Sequence, residues 1–213
     1  RKKKVLVTTT THIWQPTEEA DELCVTEELQ EAKGFIQKIK GGKIFALGSA
    51  LQNGKLKGVN VTWIDQLADH VDYILVEADG SKQKPLKAPA SHEPVIPFSA
   101  TTVITVMGID ALGKPLTDEF IHRSQLVSAV SGTPWGGPVS VETMANTVLS
   151  KDGLRKGIPP HAHWIPCINK VDTLALQQDA SMVAKYILAK EPFVRVIATS
   201  RTMEGMVVGR WQN

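Results

Sequence analysis

Asn169-Lys170-Val171-Asp172 is the segment whose residue types and spacing carry the most definite chemistry. A carboxylate at the fourth position can accept hydrogen bonds from both the ring N–H and the exocyclic amine of a guanine. Adenine lacks that pair of donors and would leave the acid unpaired, which is how such a contact discriminates. The Lys170 stem suits the face of a base, and Asn169 suits bracing of the loop. A four-residue pattern also arises in ordinary polar turns, so position matters: it follows the apolar run Trp164–Ile168 directly.

Three other segments hold groups of the same kind. Tyr73–Glu77 (YILVE) is an apolar run that ends in an acid and continues Ala78-Asp79-Gly80. Glu77 and Asp79 offer hard oxygen donors for Mg²⁺ or for an attacking water, and the spacing does not separate their roles. Gly80 lets backbone approach a γ-phosphate. Thr8-Thr9-Thr10-Thr11-His12 places hydroxyls and an imidazole where a strand gives way to loop. Thr10 is a candidate Mg²⁺ ligand, and Thr10, Thr11 and His12 are candidate phosphate contacts. β-Branching alone also explains threonines in a strand. In Thr199-Ser200-Arg201 the amides around Ser200 are candidates for the base carbonyl. The segment Glu77–Pro97 is long for a connection and rich in charge, which points to function. There Lys87 is a candidate phosphate ligand, with His92 and Glu93 candidates for a partner or substrate. Solvated charge is the plainer explanation for that loop.

The elements that must position these groups alternate. Val5–Thr10, Lys43–Leu47, Tyr73–Glu77, Thr102–Met107, His163–Ile168 and Arg195–Thr199 read as strands. Helical spacing predicts helices over Thr26–Ile39, Val61–Val71, Asp118–Val130 with Gly132 just past its end, Ser140–Leu149 with Ser140 as cap, and Leu174–Ala189. Continuous apolar strands separated by helices predict an α/β fold: a doubly wound, mostly parallel sheet with helices on both faces, as one domain over 1–213. In such sheets ligands bind at the carboxyl ends of strands, where all four segments fall.

Composition sets bounds. The chain has 213 residues, 42% hydrophobic and 22% charged, as expected of a globular domain. A net charge of +2 gives no argument for nucleic acid or for a membrane surface. Cys24 and Cys167 lie far apart, which suggests a reducing, cytoplasmic setting rather than a disulfide framework. No apolar run is long enough to span a bilayer.

A phosphate-binding loop of the form Gly-x4-Gly-Lys-Ser/Thr does not occur. Gly48–Leu56 has the wrong spacing, and Gly41-Gly42-Lys43 leads into a strand. The chain opens with Arg1 rather than Met, so the expectation is that a first strand and its phosphate loop lie upstream, and that Val5–Thr10 is the second strand of the sheet.

The runs Val5–Ile13, Val76–Ser81, Pro85–Pro89, His92–Pro97 and Asn169–Asp172 closely resemble the selenium-dependent hydroxylase accessory proteins, the YqeC family. Glu77-Ala78-Asp79-Gly80 is also similar to the Glu-x-x-Gly run of the metallochaperone GTPases that help mature urease and hydrogenase. The resemblance implies a P-loop NTPase-like fold with an N-terminal phosphate loop, GTP (or ATP) with Mg²⁺ as cofactors, and a nucleotide-gated role in completing a selenium- and molybdenum-containing hydroxylase. The expected partners are the nucleotide, a client metalloenzyme and a second copy of the chain. Hydrolysis is expected to be slow without help, because the sequence positions no arginine for the transition state; Arg123 and Arg201 are the candidates. Two rival readings stay open: an ATP-dependent small-molecule ligase or kinase on the same fold, and a binding module without catalysis.

Overall fold

The computed structural model describes residues 2–213. It is an α/β structure whose parallel strands divide between two sheets. The chain forms two compact units, residues 2–80 with Glu93–Ala100, and Ser81–His92 with Thr101–Asn213.

In the first unit, β1 (Val5–Thr9), β3 (Glu22–Val25), β4 (Ile44–Gly48) and β7 (Tyr73–Glu77) form a parallel sheet in the order β3-β4-β1-β7. Register places Leu6, Phe45 and Ile74 abreast, then Thr8, Leu47 and Val76, on one face. Against that face pack Ala32 and Ile36 of α1 (Leu29–Lys38) and Ile64 and Leu67 of α2 (Val61–Leu67). Fully burying a side chain such as Phe45 or Leu47 contributes ~1.5–3 kcal/mol. The other face carries Ile44, Tyr73 and Leu75, which remain 39%, 56% and 57% exposed. The apolar runs predict cover on both faces, whereas these helices gather on one. Helix α1 begins three residues later than its periodicity predicts. The Thr26 hydroxyl donates to Glu31 Oε2 and accepts from Glu28 N, which holds Thr26–Glu28 outside the helix.

A small antiparallel sheet, β2 (His12–Trp14), β6 (Lys55–Lys57) and β5 (Ala50–Gln52), was not legible from periodicity. Its strands have three residues each, too short for alternation to register. The signal was the turn: Asn53 and Gly54 have φ of 51° and 73°, the paired left-handed conformations of a two-residue hairpin that Asn-Gly favours.

In the second unit, β8 (Thr102–Gly108), β9 (His163–Asn169), β10 (Val196–Thr199) and β11 (Val207–Trp211) lie in the order β11-β10-β9-β8. The first three are parallel, and β11 adds antiparallel to β10. Met107, Ile168, Val196 and Ala198 are buried in a core shared with α3 (Ser124–Ser131), α4 (Val141–Leu149) and α5 (Leu174–Lys190). Ile104 and Val106 alternate with Thr105 and Met107 on β8 and stay 53% exposed each.

Helix α3 starts at Ser124 rather than at Asp118. Arg123 adopts a left-handed conformation, and the Asp118 carboxylate accepts from the Ser124 backbone N–H and hydroxyl, both at 2.9 Å. The acid caps the helix from six residues away instead of sitting in its first turn. Gly132 ends the helix as expected. Ser140 and Thr143 form a reciprocal capping box on α4, with contacts of 3.2 and 3.0 Å. Ser140→Ala therefore lowers the unfolding free energy by about 1 kcal/mol in urea denaturation; an unchanged midpoint would show the box contributes nothing.

Candidate functional site

The strongest cluster lies in the second unit, at the carboxyl ends of β9 and β10. Thr173 caps α5 by accepting from Leu176 N at 3.2 Å, so the helix begins at Leu174, two residues past Asp172. Val171 is buried, and its N–H donates to Thr199 O at 3.0 Å. Thr199 Oγ1 donates to Asn169 Oδ1 at 3.0 Å, and Ser200 Oγ donates to Asp172 Oδ1 at 2.5 Å. The buried Ser200 hydroxyl also accepts from Thr202 N and Met203 N, at 3.1 Å each. The Ser200 hydroxyl first, then Thr202 and the Arg201 and Thr202 amides, hold the Asp172 carboxyl below its ordinary value, partly offset by desolvation. A carboxylate has about four acceptor sites. Asp172 thus stays ionised with acceptor capacity to spare, as recognition of paired N–H donors requires.

Asn169, Asp172 and Ser200 are accordingly brought together as one network, in which the Ser200 side chain takes part rather than only nearby backbone amides. Lys170 turns aside: its φ is 63° and its Nζ lies 2.7 Å from Asp110 Oδ2. Asp110 follows β8 and was missed by sequence reasoning, although Gly108-Ile109-Asp110 at a strand end is the same kind of signal as Ala78-Asp79-Gly80.

In the first unit, the carboxyl ends of β1 and β7 are tied together. Thr9 Oγ1 and Thr10 N both donate to Glu77 O, at 2.8 and 3.1 Å, and Thr11 N donates to Thr9 Oγ1 at 2.9 Å. Thr8 is spent on the fold, its hydroxyl donating to Leu47 O. Thr10 Oγ1 donates to Val95 O at 2.7 Å, which directs its proton away and leaves oxygen lone pairs for a cation. His12 opens β2 and is exposed. Partial desolvation, then the adjacent Asp79 carboxylate, push the Glu77 carboxyl above its ordinary value, though the residue keeps contact with solvent. A Cβ on Gly80 would meet nothing within 4 Å, so the space beside this backbone is open.

Lys87 is buried at 5% exposure in the second unit. Its segment is fixed by Gly108 N donating to Pro85 O at 2.7 Å and His122 N to Leu86 O at 3.0 Å. His92 and Arg201 are exposed.

The family model described as YqeC protein matches residues 1–125, more than half of the chain. The chain belongs to the YqeC family. A relative described as uncharacterized protein YqeC, from Escherichia coli strain K12, is 33% identical over 172 residues, 79% of this chain. The chain spans 66% of that relative's length. No solved structure matches. The YqeC match covers Thr10, Thr11, His12, Glu77, Asp79, Gly80 and Lys87 and stops short of Asn169–Asp172. The case for the second cluster therefore rests on its own geometry.

Among the described residues, no group of three or more His, Cys, Asp or Glu assembles that could hold a metal, and no helix is long and apolar enough to cross a membrane. Cys24 and Cys167 are free thiols, and burial raises the pKa of each.

The raised Glu77 carboxyl gives a signed prediction. The folded state binds the proton more tightly than the unfolded chain does, so stability falls as pH rises from about 4.5 through the raised value. Glu77→Gln removes that loss. The variant should match wild type in acid and become the more stable protein toward neutral pH, in chemical denaturation across pH 4–7. A stability difference that does not change with pH would contradict the assignment.

Proposed function

We propose that this YqeC-family protein is a GTP-binding accessory protein of P-loop NTPase-like fold, acting in the maturation of a selenium- and molybdenum-dependent hydroxylase. One observation carries the nucleotide reading: the Asp172 carboxylate, held by the buried Ser200 hydroxyl just past β10 and directly preceded by Asn169-Lys170-Val171 at the end of β9. In this reading Asp172 accepts from the N1–H and the 2-amine of guanine, the Lys170 stem lies along the base, and Asn169 braces the turn through Thr199. An adenine offers no such donor pair, so binding it leaves the carboxylate desolvated and unpaired.

The end of β7 supports a role for Mg²⁺. Glu77, Asp79 and the Thr10 hydroxyl are the hard oxygen donors that the ion prefers, and Mg²⁺ usually keeps waters and phosphate oxygens alongside one or two carboxylates. Such a donor set suits an ion that arrives with its nucleotide. Mg²⁺ would supply charge neutralisation to the phosphates. The chain's own part is to orient water and donors through Glu77 and Asp79, beside the space left by the missing side chain of Gly80. The client role follows from the family resemblance, and a GTP-dependent change in affinity for the client is the use that fits slow hydrolysis.

The test is titration of the full-length protein with labelled GTP and ATP, with and without Mg²⁺. GTP should bind more tightly than ATP. Asp172→Ala should weaken GTP by about 10–100-fold, the range for losing hydrogen bonds to a charged group, and should relieve the penalty on ATP, so that the GTP preference is lost. Indifference of the GTP:ATP ratio to Asp172→Ala would favour the ligase or kinase reading, and absence of binding to either nucleotide would favour a non-catalytic module.

A further inference from the structure

Asp110 and Lys170 come from separate strand ends, yet register sets Gly108 of β8 beside Asn169 of β9. The two residues just beyond then meet, Lys170 Nζ at 2.7 Å from Asp110 Oδ2. Two local features accompany this contact. Lys170 adopts a left-handed backbone conformation that a non-glycine residue rarely takes. Gly108 leaves room for it, because a Cβ there would displace the Asp110 carboxylate from this position and crowd Pro85. The pair itself adds little to stability, since its side chains are 45% and 46% exposed and surface pairs contribute little. What the arrangement does fix is the direction of the lysine. The residue between Asn169 and Val171 is drawn across toward the end of β8, two positions before Asp172 in the chain.

We infer that Asp110 is a positioning residue for base recognition: by holding the Lys170 ammonium, it fixes the lysine stem as a platform for the flat face of a purine whose edge Asp172 reads. This rests on the guanine-nucleotide reading and deepens it. Edge and face are then served by different residues. Asp172 discriminates among bases, whereas the Asp110–Lys170 pair strengthens binding of any base that Asp172 accepts.

A double-substitution cycle in the full-length protein tests this, with GTP, ITP and ATP as probes and thermal unfolding as the control. Asp110→Asn and Lys170→Ala should each weaken GTP by about five-fold, and the double variant should bind no worse than Lys170→Ala alone. Asp110→Glu should restore most of the affinity. The GTP:ITP ratio and the melting temperature should stay at wild-type values in all of them. Wild-type affinity in Asp110→Asn, or a loss that adds in full to that of Lys170→Ala, overturns the role of Asp110. A wild-type protein that shows no preference for GTP over ATP overturns the guanine reading itself, and Asp110 with it. The unsubstituted arm therefore separates the two failures.

Discussion

The hydrogen bond from Ser200 to Asp172 is the constraint on which the functional account depends. A carboxylate at the rim of a sheet would ordinarily swing freely and be hydrated. Here a buried hydroxyl just past the next parallel strand grips one of its oxygens, and α5 begins two residues further along. Parallel pairing makes this possible, because it sets the carboxyl ends of β9 and β10 side by side. The result is an acid held ionised and pointed, at little reorganisation cost when a ligand arrives.

The same logic recurs in the first unit with different groups. There the threonine run closes on the backbone of Glu77, so the strand end is braced by hydroxyls while the carboxylate stays available. Each unit thus collects its polar chemistry at the carboxyl ends of parallel strands, over a core formed by helices on one face of the sheet. The opposite face of β7 and that of β8 remain apolar and exposed. The YqeC relative is longer than the segment it shares with this chain.

Much of this was legible in the sequence because β7, β8 and β9 are written as near-continuous apolar runs, even though β7 and β8 keep one face exposed. Tyr73–Glu77 was read to the residue, and β8 and β9 to within one. Ser140 and Gly132 announced a helix start and a helix stop. What escaped were elements whose identity is set by tertiary contact. The edge strands β3 and β11 are mixed in polarity. The start of α3 depends on a capping acid six residues upstream, which no local propensity records. At the site, the residue types of Asn169, Asp172 and Ser200 pointed to chemistry, but the Ser200 side-chain bond needed the register of two strands. Asp110 stood at a readable strand end, but its pairing with Lys170 was not legible, since that partner is 60 positions away. Lys87 shows the converse: its burial, and the backbone hydrogen bonds that tie its segment to Gly108 and His122, could not be read from its charge.

The most direct measurement is competition between guanosine and inosine triphosphates for the full-length protein, because the two differ only by the 2-amine that Asp172 would accept. The account predicts that removing this single donor weakens binding about ten-fold, the loss of one hydrogen bond to a charged group. Equal competition by the two nucleotides would contradict it, and would leave the Asp172–Ser200 pair as a structural tie between β9 and β10.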